Sequence, residues 1–185
     1  MTDTAGGLTL DDLDTFGTSV SGGGGAITAN SPLTIASDVF VTGNFTFAAT
    51  DSAGGGDNLF IDPGVSIEGD NLTFNAGDDF LLEPTATISA FGTVTINGDI
   101  PNADAGTGST VDISGSIIAT TVNVNSGDDA DTVDVAGTVT AVTINVNTGA
   151  NADIVNLDLG ASEGDVTVMT GAGNDTVNVS ATALL

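Results

Sequence analysis

Aspartate residues recur every 22 residues in the second half of the chain, each just ahead of a short apolar segment. Asp131, Asp153 and Asp175 begin the segments DTVDV, DIVNL and DTVNV, and each follows a glycine-containing turn. If these residues stack about 5 Å apart, neighbouring carboxylates repel by about 0.8 kcal/mol in water and by about 3 kcal/mol at an effective dielectric constant of about 20. A bound cation would stabilise a column of this kind.

The chemistry of these turns favours calcium over other metal ions. The chain has no histidine or cysteine, so it offers no imidazole or thiolate ligand for zinc or copper. Calcium is a hard cation that accepts flexible coordination by about six to eight oxygen atoms. The sequence therefore predicts Ca²⁺ as the cofactor, with these candidate metal ligands: Asp79, Asp129, Asp131, Asn151, Asp153 and Asp175.

The same turns also fit a second interpretation, without metal. Asp and Asn are frequent in turns because they tolerate left-handed backbone and form Asx turns, in which case their charge is simply solvated. Ser109 occupies the position where the column of aspartates requires an acid, so the column is interrupted there. The spacing alone fits either a single file of ions or a series of polar turns.

Apolar residues with the same 22-residue spacing indicate the fold. Inward columns alternate with polar outward columns, which is the period of a β-strand. The clearest inward column is Val111, Val133, Val155 and Val177, beside the outward column Asp112, Asp134, Asn156 and Asn178. Stacked coils impose such regularity and the hairpins of a sandwich do not. We predict an all-β parallel β-solenoid (β-helix) with 22-residue coils, about seven coils and roughly 30–35 Å long.

The first half of the chain follows the repeat less strictly. Its pairs with the same spacing are Asp57 with Asp79, Leu59 with Leu81, Leu72 with Val94, and Phe74 with Ile96. We predict a solenoid over residues 26–185, with a loop insertion at 99–109. Residues 1–25 fall outside the repeat and end in a glycine-rich linker, so they form either a mobile arm or a cap that uses Leu8, Leu10, Leu13 and Phe16.

The composition excludes several classes of protein. Among 185 residues there are 25 acids and no Lys, Arg or His, which gives a net charge of −25. Nucleic acids and anionic membrane surfaces would repel this chain. The sequence also contains no apolar segment long enough for membrane insertion. Any positive charge near its carboxylates has to come from a metal ion, the solvent or a partner.

The turn GAGNDTV at 171–177 resembles the calcium-binding nonapeptide G-G-x-G-x-D-x-U-x of RTX-type secreted proteins, with Thr170 in place of the first glycine. Earlier copies depart further, because Asn151 and Asp129 replace the third glycine. The resemblance covers about a third of the chain. It implies calcium held between adjacent coils, although here on one edge only. With the uncharged tail VNVSATALL it also implies bacterial one-step secretion.

These observations predict a non-enzymatic extracellular structural protein. It would be a calcium-stabilised subunit of a fibre, surface layer or adhesin at the surface of a bacterium or archaeon, stacked end to end with itself or with flanking repeats of a longer chain. One alternative is a β-helix enzyme acting on polysaccharides, which uses several carboxylates. Another is an ice- or carbohydrate-binding face, suggested by Thr93-Val94-Thr95 and Thr138-Val139-Thr140.

Overall fold

The computed structural model describes residues 8–10, 20–21, 24–158 and 164–180, and all its regular elements are β-strands. They form three parallel sheets of eight, six and seven strands. The first sheet holds β1 (Leu8–Leu10), β4 (Leu33–Ile35), β7 (Leu59–Ile61), β10 (Phe80–Leu82), β13 (Thr110–Ile113), β16 (Thr132–Val135), β19 (Ile154–Asp158) and β21 (Thr176–Ser180). The second holds β2 (Val20–Ser21), β5 (Val39–Thr42), β8 (Ser66–Gly69), β11 (Thr87–Ala90), β14 (Ser116–Ile118) and β17 (Thr138–Thr140). The third holds β3 (Gly25–Ala29), β6 (Asn44–Ala49), β9 (Asn71–Asn75), β12 (Thr93–Asn97), β15 (Thr121–Asn125), β18 (Thr143–Asn147) and β20 (Asp165–Met169).

From β1 to β19, successive strands of the chain belong to successive sheets, so the chain winds as a β-solenoid of about seven coils. Each strand pairs in parallel with the equivalent strand one coil away. Val111 pairs with Val133, Val133 with Val155, and Val155 with Val177. The predicted fold and its 22-residue spacing are therefore confirmed over these coils.

The core lies between the three sheets and is made of the inward columns. Val111, Val133 and Val155 are fully buried, whereas the intervening Asp112 and Asp134 are only half-buried. Outside, amide side chains hydrogen-bond along the stack: Asn145 Nδ2 donates to Asn123 Oδ1, and four other neighbouring pairs do the same. The amide ladders satisfy polar groups that stacking brings together.

One register prediction is wrong by a single residue. Leu59 pairs with Phe80 and not with Leu81, which lies on the outer side beside Phe60. The run Phe80–Leu82 is apolar throughout, so the pattern fits either register, and a slip of one residue reverses which face is buried. The observed register buries the two side chains of Phe80 and Leu82, where the alternative would bury one. Leu72 pairs with Val94 and Phe74 with Ile96, as predicted.

Near the N-terminus, parallel pairing begins before residue 26. Leu8 pairs with Leu33, Leu10 with Ile35, and Leu10 is buried in the common core. Leu13 and Phe16, the other residues of the predicted cap, lie outside the described residues. The described part of the chain contains no helix that is long and apolar enough to span a membrane.

Candidate functional site

The turns that join the third sheet to the first form one corner of the solenoid, and the acidic turns lie there. Equivalent positions on this corner are fixed by the register of the strands that follow them. The resulting column, from one coil to the next, is Asp57, Asp78, Ser109, Asp131, Asp153 and Asp175. The corner column, as we call it, is interrupted at Ser109, as the sequence indicated.

Carboxylates of the corner column hold neighbouring coils together through backbone hydrogen bonds. Asp131 Oδ1 accepts from the Ser109 N–H at 2.7 Å, and Asp153 Oδ1 accepts from the Asp131 N–H at 3.0 Å. Asp175 Oδ1 accepts from the Asp153 N–H at 3.2 Å. The same atoms recur because each carboxylate meets the equivalent amide one coil earlier. These aspartates therefore have a structural role whether or not a metal binds.

Asp79 is not a member of the corner column, contrary to its assumed alignment with Asp57. The shifted register puts Asp78 there instead, and Asp78 Oδ2 accepts from the Asp57 N–H at 2.8 Å. Asp79 lies one position further on, where its Oδ1 accepts from the Thr110 N–H at 2.8 Å. This follows from the burial of Phe80, because the pairing of Phe80 with Leu59 places Asp78 rather than Asp79 opposite Asp57.

Asp129 and Asn151 also lie beside the corner column rather than in it. Asp129 Oδ2 accepts at 2.9 Å from Asn102 Nδ2 and at 2.9 Å from the Gly106 N–H, so it supports the connection of residues 98–109. Asn151 is exposed, has a left-handed φ of 79°, and donates from Nδ2 to the Asp128 carbonyl. The structure thus aligns only Asp131, Asp153 and Asp175 among the six predicted ligands, and calcium binding by them stays a prediction.

A different group of acids comes together on the same corner. Carboxylate oxygens of Asp51, Asp99 and Asp104 lie within 4.8 Å of one another. Asp51 is 8% exposed and Asp99 is 4% exposed, while Asp104 is half-buried. We call this group the loop cluster, because Asp99 and Asp104 belong to the connection 98–109. Its other carboxylate comes from the earlier connection 50–58.

The loop cluster forms because two long connections meet over a short one. The corner 76–79 lies between them, and it anchors the start of the later connection. The Asp99 N–H donates to the Asp78 carbonyl at 3.3 Å, and the Ile100 N–H donates to the Ala76 carbonyl at 3.2 Å. Gly77 allows the close approach, since a Cβ there would lie 2.6 Å from Asp51 Cα. Across the gap, the Ala103 N–H donates to Asp51 Oδ2.

Several oxygens of the loop cluster are buried without a hydrogen-bond partner among the described residues. They are Asp51 Oδ1, both carboxylate oxygens of Asp99, and Asp104 Oδ1, together with the nearby loop atom Asn102 Oδ1. In the corner column, Asp153 Oδ2 is also buried and unpartnered. Unpaired buried carboxylate oxygens are costly, and this chain has no basic side chain to pair with them.

Burial shifts the protonation of two of these acids. The pKa of Asp99 is raised to about 7, first by desolvation and then by the nearby charges of Asp129, Asp131, Asp51 and Asp104. Desolvation likewise raises the pKa of Asp131 to about 6, although hydrogen bonds from Ser109 and Ser126 oppose it. Both shifts show that the folded chain alone disfavours the charged carboxylates.

The metal-free protein should therefore lose stability as pH rises. These two pKa values are higher in the folded state than in the unfolded chain, so the folded state binds more protons between about pH 4 and pH 7. The stability that this proton binding contributes is lost as the pH rises through the pKa values of the folded state. We expect the melting temperature in chelator to be lower at about pH 8 than at about pH 5. Calorimetry should show that the melting temperature of Asp99→Asn falls less between these two pH values than that of the unaltered protein. An equal fall would mean that Asp99 does not have the raised pKa.

Sequence reasoning missed the loop cluster because its members do not share the repeat. Asp51 and the Asp99–Asp104 segment lie in irregular connections, and only the course of the chain brings them together. The available signal was the insertion itself, which carries two acids. Comparisons with known protein families, with curated proteins and with solved structures find no match for this chain. The function of this chain is therefore inferred from the repeat and from the site.

Proposed function

We propose that this chain is a non-enzymatic structural element outside the cell, a calcium-stabilised β-solenoid in a fibre, surface layer or adhesin. The observation that carries the proposal is the set of buried, unpartnered carboxylate oxygens in a chain without Lys, Arg or His. Where these carboxylates are ionised, the cation that neutralises them has to come from outside the chain. Extracellular calcium modules bind with Kd values of about 10⁻⁴–10⁻³ M, which suits a protein that meets abundant calcium only after export.

A structural role is also supported by the repetition of the outer surface. Neighbouring coils place amide on amide and threonine on threonine at several outward positions, such as Asn145 on Asn123 and Thr143 on Thr121. Catalysis by carboxylates needs two acids in different environments, one protonated and one ionised. The buried acids here lie in the corner of the stack, where the carboxylates of the corner column accept hydrogen bonds from the backbone of the neighbouring coil. We therefore assign the acids to holding the coils together.

The last described coil supports the proposal that the solenoid continues into another stack. Val177 and Val179 of β21 are 45% and 58% exposed, although the equivalent Val155 and Leu157 are buried. No strand among the described residues pairs with the outer edge of β21. We propose that a second copy stacks there in calcium, with flanking repeats of a longer chain as the competing occupant.

A calcium titration tests the proposed function on the whole protein. At a calcium concentration of about 100 times Kd, one site adds about 2.7 kcal/mol to the free energy of unfolding. For a domain of this size that raises the melting temperature by roughly 5–10 °C. Calorimetry in chelator and in about 10 mM calcium measures the shift, with sodium chloride at matched ionic strength as the control for screening.

Two further measurements test assembly in calcium and the absence of polysaccharide cleavage. Sedimentation velocity should show particles larger than one chain in calcium, and a monomer at high protein concentration would reject stacking between copies. Incubation with common polysaccharides should produce no new reducing ends. A melting temperature that does not respond to calcium would reject the proposed function itself.

A further inference from the structure

We propose that the loop cluster is a single binding site for one calcium ion, held by Asp51, Asp99 and Asp104. This proposal deepens the calcium stabilisation proposed above and rests on it. It differs from an ion file along the corner column, because it places the ion between two irregular connections. The site lies at one place in the stack and does not repeat with the coils.

The geometry of the three carboxylates suits a single ion. Calcium–oxygen distances are about 2.3–2.6 Å, so two ligands on opposite sides of the ion are up to about 5 Å apart. The candidate oxygens lie within 4.8 Å of one another, which is the span that one such ion can bridge. Asp99 is the central ligand, since it is nearly fully buried and neither of its oxygens has a partner.

Hydrogen bonds hold the connection 98–109 on both sides of the site. On one side the Ala103 N–H donates to Asp51 Oδ2, which leaves Asp51 Oδ1 free. On the other side Asn102 Nδ2 donates to Asp129 Oδ2 at 2.9 Å, which leaves Asn102 Oδ1 free. The ligands are therefore positioned before the ion binds, and the oxygens without protein donors are the ones left for it.

The ligand chemistry selects the kind of ion. Three carboxylates and no nitrogen or sulfur donor favour a hard divalent cation. Irregular connections provide ligands that adapt to calcium, whereas magnesium demands near-octahedral geometry at about 2.0–2.1 Å and gives up its waters reluctantly.

An open groove beside the loop cluster provides a path for the ion. It has a volume of about 370 Å³ and is lined by Asp99, Asn102, Asp128 and Gly149 among others. Its acidic lining attracts cations from solvent. Asp99 borders the groove although both of its carboxylate oxygens are buried, so the groove ends next to the proposed site and approaches it from the connection 98–109 rather than through the strands.

The test is calorimetric titration of calcium chloride into the whole protein and four variants in neutral buffer. Asp99→Asn and Asp104→Asn each remove one ligand charge at nearly constant volume. Asp175→Asn removes a carboxylate of the corner column, and Asp165→Asn removes an exposed acid of β20 as the matched control. Replacing a residue that merely supports a metal ligand typically costs about 10–100-fold in affinity, so we expect the two loop variants to lose at least that much calcium affinity and the Asp165→Asn variant to bind as the unaltered protein does.

A second measurement separates loss of the site from misfolding. In chelator, Asp99→Asn should melt at a higher temperature than the unaltered protein because it removes a repelled charge, and calcium should then raise its melting temperature far less. Unchanged calcium affinity in both loop variants would overturn the site. If Asp175→Asn alone loses calcium stabilisation, the ions lie in the corner column and the proposed function survives without this site. If sodium at matched ionic strength stabilises as much as calcium, the specific site is also rejected.

Discussion

Replacing Val155 with aspartate should destabilise the solenoid by several kcal/mol and unfold its C-terminal coils. Val155 is fully buried between Val133 and Val177 in the first sheet. An aspartate there would place a charge in an apolar column with no basic residue anywhere in the chain to pair with it. Thermal or denaturant unfolding followed by circular dichroism measures the loss.

The neighbouring residue supplies the matched control for this substitution. Ile154 lies one position earlier in the same strand, and its side chain is exposed. Ile154→Asp adds the same charge to the same coil and should have a much smaller effect, because its carboxylate remains in water. Equal destabilisation by the two variants would mean that added charge, rather than burial, accounts for the effect. An unchanged melting temperature for Val155→Asp would mean that the faces of β19 are reversed.

Replacing Phe74 with alanine should cost about 3–5 kcal/mol. Phe74 is fully buried and stacks on Phe47, with ring centroids 5.3 Å apart and an interplanar angle of 9°. Its ring also packs at a tilt against Phe80, at 5.6 Å. Truncation would remove both aromatic contacts and leave a cavity that the flanking strands cannot close without breaking register.

Phe91 provides the matched control, because it is 87% exposed and directly follows the last residue of β11. Phe91→Ala removes the same atoms from the surface and should change the free energy of unfolding by less than about 0.5 kcal/mol. Both variants are compared with the unaltered protein by denaturant unfolding. A Phe74→Ala variant as stable as Phe91→Ala would contradict the described core of the central coils.

The fold could be predicted from the sequence because stacked coils place similar residues at equal spacing along the chain. Val111, Val133 and Val155 occupy the same environment in successive coils, so selection for that environment produces the same residue at equal spacing. The prediction was incomplete where the alternation of apolar and polar residues is too short to recognise. The described strands of the second sheet, such as β17 with its three residues, are too short to show a clear period.

The candidate site could be predicted only in part, for physical reasons that differ between residues. Asp131, Asp153 and Asp175 were found because they follow the repeat, whereas Asp79 was misplaced because an apolar run allowed two registers. Asp51, Asp99 and Asp104 meet through irregular connections, and no periodicity encodes that contact. Long-range contacts of this kind depend on how far each connection reaches over its neighbours.

One contact between these connections bears on how the rod bends. The bond from the Ala103 N–H to Asp51 joins residues 52 positions apart and passes over the corner 76–79, so it crosses two interfaces between coils. Elsewhere, the paired strands connect each coil to its immediate neighbours. The contact should therefore restrain independent bending and twisting at the two interfaces beneath it, and we expect the segment that they enclose to be stiffer than the coils on either side.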